Sequence, residues 1–156
     1  MDKIIVALIK RDIRHYFRFL LERGYKISDA QYFPKMNGSW AVDLESSSCN
    51  IEVYSDRDVL ALTFLPVNNN RKYGISIEAM IYFMTEGREF VGGYEGNFAW
   101  GKRKQFERLV SLLKAYLDQI APYFGDDFEK YKDDLMLAQK KYNNLSFERY
   151  VNKKTK

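Results

Sequence analysis

One cysteine, Cys49, and one histidine, His15, occur in the whole chain. A single thiol excludes an internal disulfide and suits a reducing, cytoplasmic compartment. One histidine and one cysteine cannot assemble any of the usual zinc ligand sets, and the spacing of an Asp-rich calcium loop is absent. His15 has no second histidine, cysteine or serine at hand to act with, so it reads as a surface or partly buried side chain. Long apolar runs are missing as well. The N-terminal run from Ile4 to Ile9 gives way to Lys10-Arg11-Asp12, too short for a membrane span or the core of a signal peptide. No membrane association, cofactor or metal is expected. The three prolines, Pro34, Pro66 and Pro122, serve as punctuation.

Aromatic residues are plentiful, 16% of the 156 residues, with twelve Tyr and eleven Phe. A core rich in rings is the plainer reading, and a ring-rich interface is the other. The net charge of +4 is mildly basic. Part of it sits in Lys153, Lys154 and Lys156, so 152–156 are expected to form a disordered basic tail on a single domain spanning 1–156.

The middle of the chain reads as strands. Trp40, Val42 and Leu44 alternate with Ala41, Asp43 and Glu45, and Ile51 and Val53 with Glu52 and Tyr54. That period of two marks strands with one buried and one wetter face. From Val59 to Leu65 both faces are apolar, the pattern of a central strand covered on both sides, and Pro66 ends it. Ile27 to Lys35 is a weaker strand with Pro34 at its edge, joined to the next through Asn37-Gly38, a strong hairpin signal. Short turns make the sheet antiparallel. Phe90 to Tyr94 offers one more short strand.

Helical periodicity flanks this block. Ile5, Ile9, Ile13, Tyr16 and Leu20 place one amphipathic helix over about Asp2 to Arg23, with Gly24 as its left-handed stop. Ser76 suits the cap of a helix carrying Ile77, Met80, Ile81 and Met84. Phe106, Leu109, Leu113, Tyr116 and Ile120 define a long helix over 102–121, ended by Pro122. Phe128, Tyr131, Leu135, Ala138 and Tyr142 define another, after which Ser146 caps a last short turn. The long pair is expected to form a helical hairpin. Whether it closes within the chain or on a second copy is open, so a homodimer stands beside a monomer. The expected fold is α+β: a four- to five-stranded antiparallel meander flanked by an N-terminal helix and about three C-terminal helices.

Two patches are candidates for binding. The first is the glycine-rich loop and helix start at 92–104, with Tyr94, Phe98, Trp100, Lys102, Arg103 and Lys104. Its Gly96 to Arg103 matches G-x-x-x-x-G-K-[ST] except at the last position, where Arg103 replaces the hydroxyl that would hold magnesium. Phe98 and Trp100 hinder backbone approach to a phosphate, no later strand ends in a suitable Asp, and the sheet is not parallel, so nucleotide hydrolysis is not expected. Rings and cations beside a helix N-terminus can still attract an anion or a single-stranded nucleic acid. The second patch is the acidic strand face of Asp43, Glu45 and Glu52, with Asp56 and Asp58 nearby. Facing carboxylates can share a proton or a magnesium ion, which makes a metal-dependent hydrolase a third reading.

The order of elements resembles that of many small bacterial immunity and adaptor-type proteins, a resemblance of layout that implies a protein partner and no catalysis. The sequence therefore favours a non-catalytic protein-binding module, with nucleic-acid or anion binding through 92–104 as the alternative. No residue is assigned a catalytic or metal-binding role.

Overall fold

The computed structural model describes residues 1–68, 70–92 and 101–154. The chain begins with α1 (Asp2–Tyr16) and α2 (Arg18–Glu22), which divide at Phe17 the single helix that the apolar stripe predicts. Phe17 leaves helical geometry at φ −102° and ψ 26°, and its ring is fully buried, edge-on to Phe106 at 5.9 Å. Gly24 then adopts φ +95°, and the Tyr25 amide donates back to the Leu20 carbonyl at 3.0 Å. That closing bond needs the left-handed conformation that glycine adopts without a steric penalty.

Five strands follow: β1 (Lys26–Phe33), β2 (Ser39–Glu45), β3 (Asn50–Asp56), β4 (Val59–Leu65) and β5 (Ile75–Ser76). They pair antiparallel in sequence order. The β1–β2 turn places Asn37 at φ 56° and Gly38 at φ 74°, and the β3–β4 turn places Arg57 and Asp58 at φ 49° and 65°. Positive φ at both residues of the two-residue β3–β4 turn suits the right-handed twist of a hairpin, and in the five-residue β1–β2 connection it lets Asn37 and Gly38 return the chain to β2. The fifth strand is the short Ile75–Ser76, not the stretch from Phe90; Phe90 and Val91 lie outside any strand, and Tyr94 lies outside the described residues. A bulge between Ile27 and Asp29 explains the weak alternation of β1. It absorbs Ser28, so that Ile27 opposite Leu44 and Ala30 opposite Val42 face the same side. Pro34 opens a short 3-10 turn, Pro34–Met36, beyond the strand end.

The inner face of the sheet carries Val42, Leu44, Ile51, Val53, Leu62 and Phe64, all fully buried. It is covered by α1 and by three later helices, α3 (Ile77–Met84), α4 (Lys102–Ile120) and α5 (Phe128–Lys154). Ser76 Oγ caps α3 by accepting from the Ala79 amide at 3.2 Å. Pro122 sits in a 3-10 turn, Ala121–Phe124, that ends α4. The link to α5 is short, but α5 runs mainly along α3, and α3 in turn touches α4, so α3 bridges the two arms of the hairpin. Ser146 lies inside α5, which continues unbroken to Lys154, three residues into the stretch read as a tail.

The ring-rich core is built around Phe106. It stacks on Tyr16 at 4.4 Å and on Trp40 at 6.4 Å between ring centroids, and so joins α4 to α1 and β2. Beside it, buried Gln105 accepts from the Leu60 amide at 2.8 Å and donates to the Asp58 carbonyl at 2.8 Å. That pair of bonds fixes the register of α4 against the β3–β4 hairpin while satisfying polar groups that would otherwise be buried unpaired. Phe64, Phe124 and Phe128 stack in series at the other end.

The outer face differs from the expectation for β4. Ala61 is exposed and Val59 and Thr63 are half-buried, while Leu65 at the strand's end is buried, so the outer face of this central strand is covered only at its Leu65 end. No helix of the described residues is long and apolar enough to cross a membrane.

Three outcomes follow from this packing. Phe106→Ala should cost about 3–5 kcal/mol in denaturant unfolding. Phe147→Ser, at a side chain 67% exposed, should stay within about 0.5 kcal/mol of the parent. Cys49 is fully buried, 3.1 Å from the Tyr25 hydroxyl, and burial pushes its thiol up to about 11. A thiol-alkylating reagent should therefore leave the native protein unlabelled at neutral pH and label it once it is unfolded.

Candidate functional site

Strand register, more than strand composition, assembles the acidic patch. Asp29 on β1 lies opposite Asp43 on β2, Asp43 opposite Glu52 on β3, Glu52 opposite Thr63 on β4, and Thr63 opposite Ser76 on β5. Three carboxylates thus stand side by side in one row across the outer face. Like charges directly opposite each other destabilise a sheet by roughly 0.2–1 kcal/mol per pair. Glu45 is two residues from Asp43 on the same face, opposite Lys26 and exposed. Asp56 and Asp58 do not join the row. Asp56 accepts from Ser39 Oγ at 3.1 Å and sits beside Arg57, and the Asp58 carbonyl is held by Gln105.

A single arginine meets the row from above. The chain between β4 and β5 folds back over the outer face, and Gly74 permits it to lie close. A Cβ there would come within 2.7 Å of Thr63 Cγ2. A short 3-10 turn, Arg71–Tyr73, follows Asn70, whose side chain accepts from the Lys72 amide at 3.2 Å. This places the Arg71 guanidinium between two strands. Its Nη1 donates to Glu52 Oε2 at 2.6 Å and its Nη2 to Asp43 Oδ2.

Asp43 is only 5% exposed, yet its Oδ1 has no hydrogen-bond partner among the described residues. Burial raises the affinity of both Asp43 and Glu52 for a proton above the ordinary carboxylate range, Arg71 opposes the shift, and for Glu52 the neighbouring Asp43 charge adds to it. Asp29 adds to the shift of Asp43. The two carboxyls can hydrogen-bond to each other only when one of them carries a proton. Among the described residues no group of three His, Cys, Asp or Glu side chains converges to hold a metal ion. Next along the face, Tyr54 is half-buried between Ala41 and Ala61 on neighbouring strands, with exposed Gln31 opposite Ala41. Small neighbours leave the ring accessible beside the acids.

The basic patch is organised differently. Tyr94, Phe98 and Trp100 lie outside the described residues. Lys102 pairs with Asp12 of α1 and lies over the Phe106 ring. Arg103 pairs with Glu107 one turn further along α4 at 2.9 Å. Lys104 is exposed on the same turn. The segment leading into the loop is held by α4 and α5. Arg108 donates to the Gly92 carbonyl at 3.1 Å, Tyr142 to the Val91 carbonyl at 2.6 Å and Tyr116 to Glu89 at 2.7 Å, while Arg149 lies 3.7 Å over the Phe90 ring. Phe106 docks α4 on the inner face, so Lys102 and the acidic row stand on opposite sides of the sheet.

Of the residues expected from sequence, Asp43 and Glu52 are brought together, and Glu45 lies alongside. Asp29, Arg71 and Tyr54 complete the face and were not expected. The bulge hid Asp29 by displacing the alternation of β1, and nothing in the polar run around Arg71 signals where its guanidinium lands. The architecture is a helix-covered meander with an open acidic face. No protein-family model, curated protein or solved structure matches the chain.

The raised carboxyls give a pH test. An acid whose folded-state proton affinity is raised contributes most below its unfolded pKa, and that contribution is lost as pH rises through the folded value. Glu52→Gln keeps the shape and can donate to Asp43 without a charge. It should raise the melting temperature at pH 7, and the gain should shrink as the pH falls towards about 4. A gain that grows on acidification would contradict the burial-and-repulsion account.

Proposed function

We propose that this chain is a non-catalytic protein-binding module that docks a basic partner segment on the outer face of its sheet. The observation that carries the reading is the row Asp29–Asp43–Glu52, three in-register carboxylates met by one cation. A local rule broken at a cost to the fold marks a surface kept for something other than stability. Tyr54 beside the row offers a rigid amphipathic anchor, and the carboxylates supply a charged surround that sets register and speeds encounter. Among the described residues no group of three ligating side chains converges that would favour a metal-dependent hydrolase over this reading. Lys102 and Arg103 are engaged by Asp12 and Glu107, which weakens the support for a nucleic-acid strand or other anion at 92–104. A cytoplasmic location belongs to the same reading, with the single buried thiol as its support.

Titration with a fluorescent arginine-rich peptide, against an oligonucleotide and a glutamate-rich peptide as competing probes, tests the reading. The arginine-rich peptide should bind, more weakly at high salt, and Asp29→Asn/Glu52→Gln should weaken it by at least about tenfold. Preferential binding of the oligonucleotide, lost in Lys102→Glu/Arg103→Glu, would replace this reading with the alternative.

A further inference from the structure

Resting on that reading, we propose that Arg71 is an internal stand-in for a partner's arginine. Asp43 and Glu52 form a guanidinium subsite that Arg71 fills while the face is empty and yields to the partner on docking.

Three observations carry this. The first is the fork: two different nitrogens of one guanidinium meet two carboxylates on adjacent strands, a match to planar, multidentate donors that an ammonium cannot reproduce. The second is the surplus of acceptors. Asp43, 5% exposed, keeps Oδ1 without a donor among the described residues, and a buried acceptor left unmet is costly. Next to it, Asp29 receives a neutral hydrogen bond, from Gln31 at 2.8 Å. The subsite therefore has acceptors and negative charge beyond what Arg71 uses.

The third is the lightness of the tether. Asn68, Asn70, Arg71 and Lys72 are all exposed, and the Arg71 side chain is itself 52% exposed. The hydrogen bonds here are local, Asn70 amide to Asn68 Oδ1 and Lys72 amide to Asn70 Oδ1, both 3.2 Å. The ends are fixed by the Val67 amide on the Phe124 carbonyl and by the pairing of Ile75 with Phe64. The same turn is anchored by Tyr73, which packs on Phe128 at 5.7 Å between ring centroids, so it is the exposed Arg71 side chain and not the turn that withdraws. A group tethered in this way lowers the apparent affinity of any competing cation by the fraction of time it occupies the subsite. Only a partner able to place a guanidinium there recovers the bonds that Arg71 gives up, which turns the stand-in into a filter for arginine over lysine.

The test uses the full chain with Arg71→Ala and methylguanidinium as the probe. Low millimolar methylguanidinium should raise the melting temperature of Arg71→Ala, because it binds the folded state alone. Methylammonium should not, the wild type should show no rise, and Asp43→Asn in the Arg71→Ala background should abolish it. The arginine-rich peptide should bind Arg71→Ala about tenfold more tightly than the wild type, the occupancy penalty having been removed. A melting temperature of Arg71→Ala unmoved by methylguanidinium overturns the proposal. Equal or weaker peptide binding by Arg71→Ala also overturns it, while leaving docking on the face intact. Failure of both proteins to bind the peptide, with methylguanidinium rescue retained, overturns the docking reading and the stand-in with it. Should Arg71→Ala not fold, Arg71→Gln carries the same pair of measurements.

Discussion

Burial of one face of the sheet around the Phe106 ring is the constraint on which the rest of the molecule depends. Tyr16, Phe17 and Trp40 surround that ring, so α1, α4 and β2 meet at one point. Once α4 is seated there, Gln105 reaches the turn of the β3–β4 hairpin and bonds Leu60 and Asp58. Helices α3 and α5 complete the cover from the β4–β5 side. With all described helices spent on the inner face, the outer face is left to water and to the short connection carrying Arg71. The one-sidedness of the core is thus what places the row of carboxylates on the outer face.

That row is costly to the fold. Three acids in register across adjacent strands repel one another, and one of them is nearly buried. Arg71 offsets part of the repulsion, while burial first and the neighbouring carboxylates second raise the proton affinities of Asp43 and Glu52. A hydrophobic or neutral triplet would fold more easily, since replacing buried charge by neutral groups of similar volume is often stabilising. The proposed docking of a basic segment gives the residual charge a use. The proposed exchange of Arg71 for a partner's guanidinium gives the Asp43–Glu52 fork one.

Much of the fold was legible in the sequence, and the reason is local physics. The Asn37-Gly38 turn, the stop at Gly24, the cap at Ser76 and the break at Pro122 are each set by the backbone preferences of one or two residues. The stripes of α1 and α4 follow from helical periodicity alone. The departures come from places where tertiary packing overrode a local pattern. Phe17 interrupts a good helix because its ring is taken into the core, Ser146 loses its role as a cap because α5 continues through it, and β4 reads as two-faced although only one face found a helix.

The sequence by itself determined the first four strands and the main helical stripes, that the strands meander, and that Asp43 and Glu52 share a face, because each of these depends on spacing within a few residues. Tertiary structure alone decided that Asp29 joins them, that Arg71 reaches across from a distant loop, that Asp43 is buried with an oxygen unmet, and that Lys102 and Arg103 are already paired. Those facts depend on register shifts, loop paths and helix docking, in which residues far apart in the chain compete for the same few ångströms.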